Sequence, residues 1–452
     1  MKLSAKEKFS FGFGALGKDA ICCFVGNFLM FYYTDVLFLA PAFVGTLFFV
    51  ARIWDAINDP MMGMIVDNTH NKFGKFRTWL LVGTLLNAVV FVAMFNTFGL
   101  EGKALYAYVA IAYILYGMTY TVMDVPYWSW LPNLASDPHE RESVSVIPRF
   151  FASLAGFTTG VFGLSMIDGF DKVFGNGDRT GGFSAIAVVI ALLFIFTIGV
   201  TIFNVKEKVS ETKEAEHTSF SHIFKILTGN KQFMAYIGLL LCYNLCIQII
   251  NGVLIYYFKY VAGRESLFSI FNVCILAEMF GLVLFPKVVK VLGREKMFAL
   301  ACAFPIFGLI IIALAGFVDP TNPLYIVIGA SILKIGSGFE LGVVTVSIAD
   351  VIDYNEMKFG TRNESIICSA QTFLMKSSQA VSGLLTGVGL SIVGYNAELP
   401  QQSATTINGI RIIMIAIPMV FAVISYIIYA KGYKLKGSYL EEMNQQLGNT
   451  AQ

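Results

Sequence analysis

Apolar residues run along this chain in long, nearly unbroken stretches separated by short polar segments. Twelve stretches lie near residues 10–37, 41–66, 77–98, 104–131, 144–167, 183–204, 232–260, 267–286, 296–317, 323–351, 364–394 and 408–430. Each reaches about 20 residues, the length at which a helix crosses the hydrocarbon of a bilayer. The pattern predicts an all-α polytopic membrane protein of twelve transmembrane helices. The first stretch follows basic residues, as in a signal peptide. It is too long for one, contains Lys18 and Asp19, and lacks a small-residue cleavage site, so it is read as the first span.

One polar interruption divides the chain. The segment VKEKVSETKEAEHTSFSHIFK opens a highly charged stretch over residues 205–231, read as a cytoplasmic linker with a short surface helix near residues 220–227. Residues 1–204 and 232–430 then form two six-helix bundles, and residues 431–452 a cytoplasmic tail. Weak internal repetition agrees with two related halves. Gly74-Lys75 is echoed by Gly293-Arg294, and Arg141-Glu142-Ser143 by Arg362-Asn363-Glu364-Ser365, at nearly one offset. With the N-terminus inside, the predicted cytoplasmic segments hold 21 Lys and Arg and the outer segments 5, which puts both termini in the cytoplasm.

Composition narrows the function classes. Charged residues are 14% of the chain, against about 25% in ordinary proteins, and mean hydropathy is +0.69. The net charge of +2 carries no message about nucleic acid. His70, His139, His217 and His222 all fall in cytoplasmic segments, so no histidine relay crosses the membrane. The seven cysteines lie in apolar spans without metal-ligand spacing. No Walker loop accompanies the spans. Gly12-Phe13-Gly14-Ala15-Leu16-Gly17 fits the dinucleotide pattern G-x-G-x-x-G, but no strand precedes it, so the glycines are read as part of the span.

Against this apolar background a few polar positions stand out. Asp55, Asn58 and Asp59 are spaced to share one helical face in the second span. Carboxylates at membrane depth are costly and by default functional. Oxygen ligands a turn apart suit a hard cation such as Na⁺, held by Asp55 and Asp59, or a shared proton. The alternatives are an aqueous cavity or a structural ion pair with Arg52. In the fourth span Tyr120, Asp124 and Trp128 follow at i, i+4 and i+8, with Thr121 alongside. An aromatic plate beside a carboxylate suits a sugar, whose C–H face stacks while its hydroxyls donate. A membrane-interface belt would explain Trp128 and Tyr127 but not Asp124. Lys18-Asp19 is either a structural pair or a partner for polyols, and Arg149 either a donor to sugar or a counter-ion to Asp124. Lys376 is an isolated cation in the eleventh span whose natural partner is the pair Asp55/Asp59. Glu278, Lys334 and Glu340 are further charges within spans, either functional or paired with one another.

The segments FGFGALGKD, YYTDV, GTLFFVARIWDAINDPMMG, NKFGKFRTW, LYGMTYTVMDVPYWS, PRFFASLAGF, IINGVLIYYF and IADVIDYNE cover the chain nearly end to end. They resemble the melibiose permease group of the glycoside–pentoside–hexuronide cation symporters, within the major facilitator superfamily. The resemblance implies two six-helix bundles in the cell (inner) membrane that take up a galactoside with Na⁺, Li⁺ or H⁺, with no enzyme activity, cofactor or obligate protein partner. It puts the cation site at Asp55, Asn58, Asp59 and Thr121, with Lys376 close by. It puts the sugar site at Lys18, Asp19, Tyr120, Asp124, Trp128 and Arg149. Where relatives close the sugar site with a tryptophan in span 10, this chain has Leu341, beside Glu340. Asp67, Lys75, Arg77, Arg141, Glu142, Arg294, Arg362 and Glu364 are candidate cytoplasmic gate charges.

Overall fold

The computed structural model describes residues 4–69, 72–134, 138–207, 229–359, 364–399, 401–437, 439–440 and 442–443. All regular elements among them are helical, and the chain divides into two compact units, Met1–Lys213 and Glu214–Gln452. The first unit contains α1 (Ala5–Val36), α2 (Pro41–Asp67), α3 (Lys75–Met94), α4 (Gly102–Leu134), α5 (Pro138–Phe174) and α6 (Thr180–Asn204). The second contains α7 (Lys231–Val261), α8 (Leu267–Leu292), α9 (Arg294–Val318), α10 (Pro323–Phe359), α11 (Glu364–Ile392) and α12 (Ala404–Lys431). Among the described residues ten helices are long and apolar enough to cross a membrane. The two outside that set, α2 and α11, carry Arg52, Asp55 and Asp59, and Lys376. The expected surface helix near residues 220–227 lies outside the described residues.

Local chemistry sets where helices start. Ser4 and Glu7 form a capping box at α1: the Ser4 hydroxyl accepts from the Glu7 N–H, and the Glu7 carboxylate accepts from the Ser4 N–H at 3.0 Å. Gly74 at the N-cap of α3 has φ +106°, and Gly293 at the N-cap of α9 has φ +81°. Both are conformations that favour glycine, so the glycines of the sequence echo do the same local work. The echo extends to the backbone. α1 ends in a π turn, Tyr32–Val36, and α7 in another, Tyr257–Val261. In the first, Leu37 and Leu39 N–H donate to the Tyr32 and Tyr33 carbonyls at 3.0 and 2.9 Å. In the second, Ala262 and Arg264 N–H donate to the Tyr257 and Phe258 carbonyls, both at 2.9 Å.

The glycine motif of α1 is a packing device. A Cβ at Gly12 would meet the Ile147 side chain of α5. One at Gly14 would meet the Thr201 hydroxyl of α6, and one at Gly17 the Thr197 hydroxyl and, at 2.5 Å, the Phe194 Cα. With no hydrophobic drive between helices in lipid, such close approach is what joins them. In the second unit, a Cβ at Gly329 of α10 would stand 2.8 Å from the Gly308 carbonyl of α9. The segment after α12 packs back onto its own unit: Tyr433, Leu435, Leu440 and Met443 are buried in its core, and the Lys434 N–H donates to Gln232 Oε1 at 2.6 Å.

The α1 contact predicts a contrast between two glycines on one helix. Gly17→Leu overfills the α1–α6 contact and should destabilise by about 1–3 kcal/mol. Gly26 has no atom within 4 Å of a would-be Cβ, so Gly26→Leu should be neutral or slightly stabilising. Thermal unfolding of the detergent-solubilised variants checks this; equal melting temperatures would contradict the packing role.

Candidate functional site

Two polar clusters occupy the interior of the first unit, and α4 contributes to both. In the first, the Lys18 ammonium on α1 bridges two carboxylates. It donates to Asp19 Oδ1 at 3.0 Å, to Asp124 Oδ1 on α4 at 2.9 Å and to the Tyr120 hydroxyl at 3.3 Å. Lys18 is 2% exposed, so its charge is compensated within the protein. Three rings of α4 surround the ammonium: Trp128 at 5.2 Å from Nζ to the ring centre, and Tyr120 and Tyr127 at 5.7 Å. Cation–π attraction of this kind strengthens when water is excluded. Tyr127, read from the sequence as explicable by a membrane-interface belt, is anchored because its hydroxyl donates to the Phe11 carbonyl at 2.6 Å. Trp128 is 37% exposed, and its ring stands edge-on to Tyr127. Asp19 Oδ2 is buried and accepts no hydrogen bond among the described residues. The cluster therefore holds one acceptor without a donor and a partly exposed aromatic face beside an ammonium whose three donors are engaged, a set suited to hydroxyl-rich molecules.

The second cluster lies between α2 and α4. The Thr121 hydroxyl donates to Asp59 Oδ1 at 2.9 Å. One turn earlier on both helices, Asp55 packs against Gly117, where an added Cβ would stand 2.8 Å from Asp55 Oδ1. The two contacts step together, 55 with 117 and 59 with 121, so α2 and α4 run side by side in the same direction. Gly117 is the residue that sequence reasoning missed; its signal was a lone glycine within an apolar helical run. Asp55 also pairs with Arg52, whose Nη1 lies 3.1 Å from Oδ2, so the ion pair considered from sequence is present. Asn58 Nδ2 is buried without a partner among the described residues. An amide flip would turn the Asn58 oxygen toward that position. Two carboxylates, an amide and a hydroxyl on adjoining turns make an all-oxygen donor set, which fits a hard cation as cargo.

The remaining expected positions are more scattered. Arg149 on α5 is exposed, and no described contact joins it to the Lys18 cluster. Lys376 is half-buried on α11, in the second unit. Of the gate charges, Arg294 pairs with Asp350 at 2.8 Å within the second unit. The Lys75 ammonium lies over the Phe76 ring and the Arg77 guanidinium over Phe73. The backbone N–H groups of Lys75, Phe76 and Arg77 donate to the Glu207 carboxylate, which caps α3. Arg362 and the side chains of Asp67, Arg141, Glu142 and Glu364 lie outside the described residues. Leu341 is 40% exposed. Lys334 pairs with Glu278 at 3.0 Å, and Glu340 is buried.

Comparison with known proteins adds to this geometry. The family described as MFS/sugar transport protein matches residues 10–437. The chain is 30% identical to a Bacillus subtilis (strain 168) protein named "Uncharacterized symporter YjmB", over 99% of this chain and 96% of that one. It is also 30% identical to the isoprimeverose transporter of Lactiplantibacillus pentosus, over 97% and 91% of the two chains. In fold it is similar to the crystal structure of the nucleoside transporter NupG, with a TM-score of 0.63, 12% identity, and 94% and 98% of the chains covered.

The double role of Lys18 yields a stability prediction. Asp19 and Asp124 side chains are 17% and 20% exposed, and removing the partner of such buried charges costs about 3 kcal/mol. Lys18→Met should lower the melting temperature accordingly, and Lys18→Met with both Asp19→Asn and Asp124→Asn should regain most of the loss. A triple variant no more stable than the single one would mean that Lys18 does not hold the carboxylates.

Proposed function

We propose, because this chain belongs to the MFS/sugar transport protein family, that it is a secondary active symporter that couples uptake of a glycoside to inward movement of Na⁺, Li⁺ or H⁺. It is a multi-pass membrane protein of a transporter family, not of an enzyme family. In this reading all twelve helices span the membrane with both termini in the cytoplasm, and carriage occurs by alternating access. The sugar occupies the cluster of Lys18, Asp19, Tyr120, Asp124 and Trp128, with Arg149 as a further donor. The cation occupies Asp55, Asn58, Asp59 and Thr121, with Lys376 as a compensating charge. The gate charges hold the cytoplasmic side closed in the outward-open state.

One observation carries this reading. Thr121, which binds Asp59, is adjacent in α4 to Tyr120, which with Asp124 binds Lys18. A cation that orders α2 against Thr121 thereby orders the face of α4 that meets the sugar. By linkage, the sugar then tightens cation binding by the same factor. Asn58 adds a neutral ligand that a proton does not need, which favours Na⁺ or Li⁺.

For the sugar, a galactoside such as melibiose is the first reading. A second is favoured by Leu341, which removes one stacking face, and by the similarity to an isoprimeverose transporter. That reading is a differently linked glycoside carrying a pentose, with the cation site unchanged. Uptake into proteoliposomes under a sodium gradient, across a panel including melibiose and isoprimeverose, separates the two. Binding without accumulation would instead indicate a sugar receptor and overturn symport.

Two further outcomes are expected. Asp55→Cys or Asp59→Cys should abolish stimulation of sugar binding by Na⁺ while weaker binding persists; stimulation equal to wild type in both would sink the cation assignment. Asp124→Asn removes charge-assisted bonds of roughly 1.5–3 kcal/mol each and should weaken sugar binding at least a hundredfold. If Trp128 stacks on the sugar, Trp128→Phe should keep far more affinity than Trp128→Ala, and identical losses would rule stacking out.

A further inference from the structure

α3 supplies no residue to either polar cluster of the first unit, yet it carries a fully buried amide. Asn87 is 0% exposed. Its Nδ2 donates to the Tyr116 carbonyl at 3.0 Å and to the Thr119 hydroxyl at 2.9 Å, both on α4. The Thr119 hydroxyl in turn donates to the Leu115 carbonyl at 2.8 Å. Asn87 Oδ1 accepts no hydrogen bond among the described residues, so the described bonds of this side chain all go to one turn of α4. One turn earlier on α3, a Cβ at Gly83 would stand 2.6 Å from the Met123 nitrogen of α4.

Thr119 and Met123 lie on the side of α4 opposite Gly117 and Thr121, which meet Asp55 and Asp59 of α2. The Tyr116 carbonyl begins the helical turn that ends at Tyr120, which meets Lys18. α4 is thus held from behind by α3 and in front by α1 and α2. α3 has fixed points of its own. Glu207 caps its first turn, and the Phe91 ring stands edge-on to Phe24 of α1. Interhelical hydrogen bonds from one buried amide to two groups of a turn fix its height and rotation together.

We propose that Asn87 is a positioning residue, which sets how much of the time α4 holds the height and rotation that both clusters need. The proposal rests on the sugar and cation assignments above. If α4 has a set and a loose arrangement and both ligands bind the set one, loosening α4 makes each ligand spend binding energy on resetting it. The first ligand bound then relieves the second of that cost. Weakening the brace therefore lowers both affinities and raises the factor by which Na⁺ tightens sugar binding. General destabilisation would reduce the amount of competent protein without raising that factor.

The test compares Asn87→Ala and Thr119→Val with wild type, as full-length protein in lipid. Thr119→Val is nearly isosteric and removes only the accepting hydroxyl, so it serves even if Asn87→Ala does not fold. Without sugar or Na⁺, hydrogen exchange over residues 115–120 should be faster in both variants and unchanged in α10. Two hydrogen bonds of ordinary net strength shift an equilibrium roughly tenfold. Calorimetric binding of melibiose and of isoprimeverose should therefore show the Na⁺ factor raised roughly tenfold in Asn87→Ala and less in Thr119→Val. Unchanged exchange in both variants, or a Na⁺ factor at or below that of wild type, would overturn the proposal. If Na⁺ affects neither sugar in wild type, the cation assignment falls instead, and the exchange of residues 115–120 alone decides whether Asn87 braces α4.

Discussion

A charge inside a membrane protein has to be compensated by something close by, and the polar interior of this chain is arranged around that requirement. The first unit meets it in three ways. Lys18 bridges Asp19 and Asp124, Arg52 pairs with Asp55, and Asp59 accepts the Thr121 hydroxyl. In the second unit Lys334 answers Glu278. These arrangements are local, between neighbouring helices or turns, so each fixes a helix contact as well as a charge. The Lys18 cluster joins α1 to α4, and the Asp55 and Asp59 contacts join α2 to α4.

α4 is thus where the compensation of two separate charge groups meets. Its Thr121 belongs to one group and its Tyr120 to the other, and a peptide bond links them. A helix transmits such a constraint because adjacent residues cannot turn independently without breaking i to i−4 hydrogen bonds. No long chain of intermediaries is needed for the two groups to influence each other.

Much of this was legible in the sequence because the relevant spacings are helical. Asp55 and Asp59, and Tyr120, Asp124 and Trp128, share faces by simple periodicity, and polar residues in apolar runs are conspicuous. Other features depend on which helix lies opposite, which spacing does not encode. Gly117 matters because Asp55 faces it, and Tyr127 because Lys18 reaches its ring. Arg149 looked equivalent to the other interior charges by sequence, yet it is exposed on α5. The pairing of Lys334 with Glu278, rather than with Glu340 on its own helix, follows from the crossing of α8 and α10. The G-x-G-x-x-G run lies within a helix with no strand before it, and its role against α5 and α6 is visible only with those helices in place.

The π turns that end α1 and α7 bear on which way side chains face beyond them. A π turn takes in one residue more than an α turn, so residues past it are carried around the axis from where α periodicity would put them. Matching hydrogen bonds at Tyr32–Val36 and Tyr257–Val261 give α1 and α7 the same offset at the same end. The third π turn, Ile412–Ala416, lies inside α12, whereas α6 is α-helical from Thr180 to Asn204. A face traced by the α period alone is therefore continuous along α6 and broken within α12.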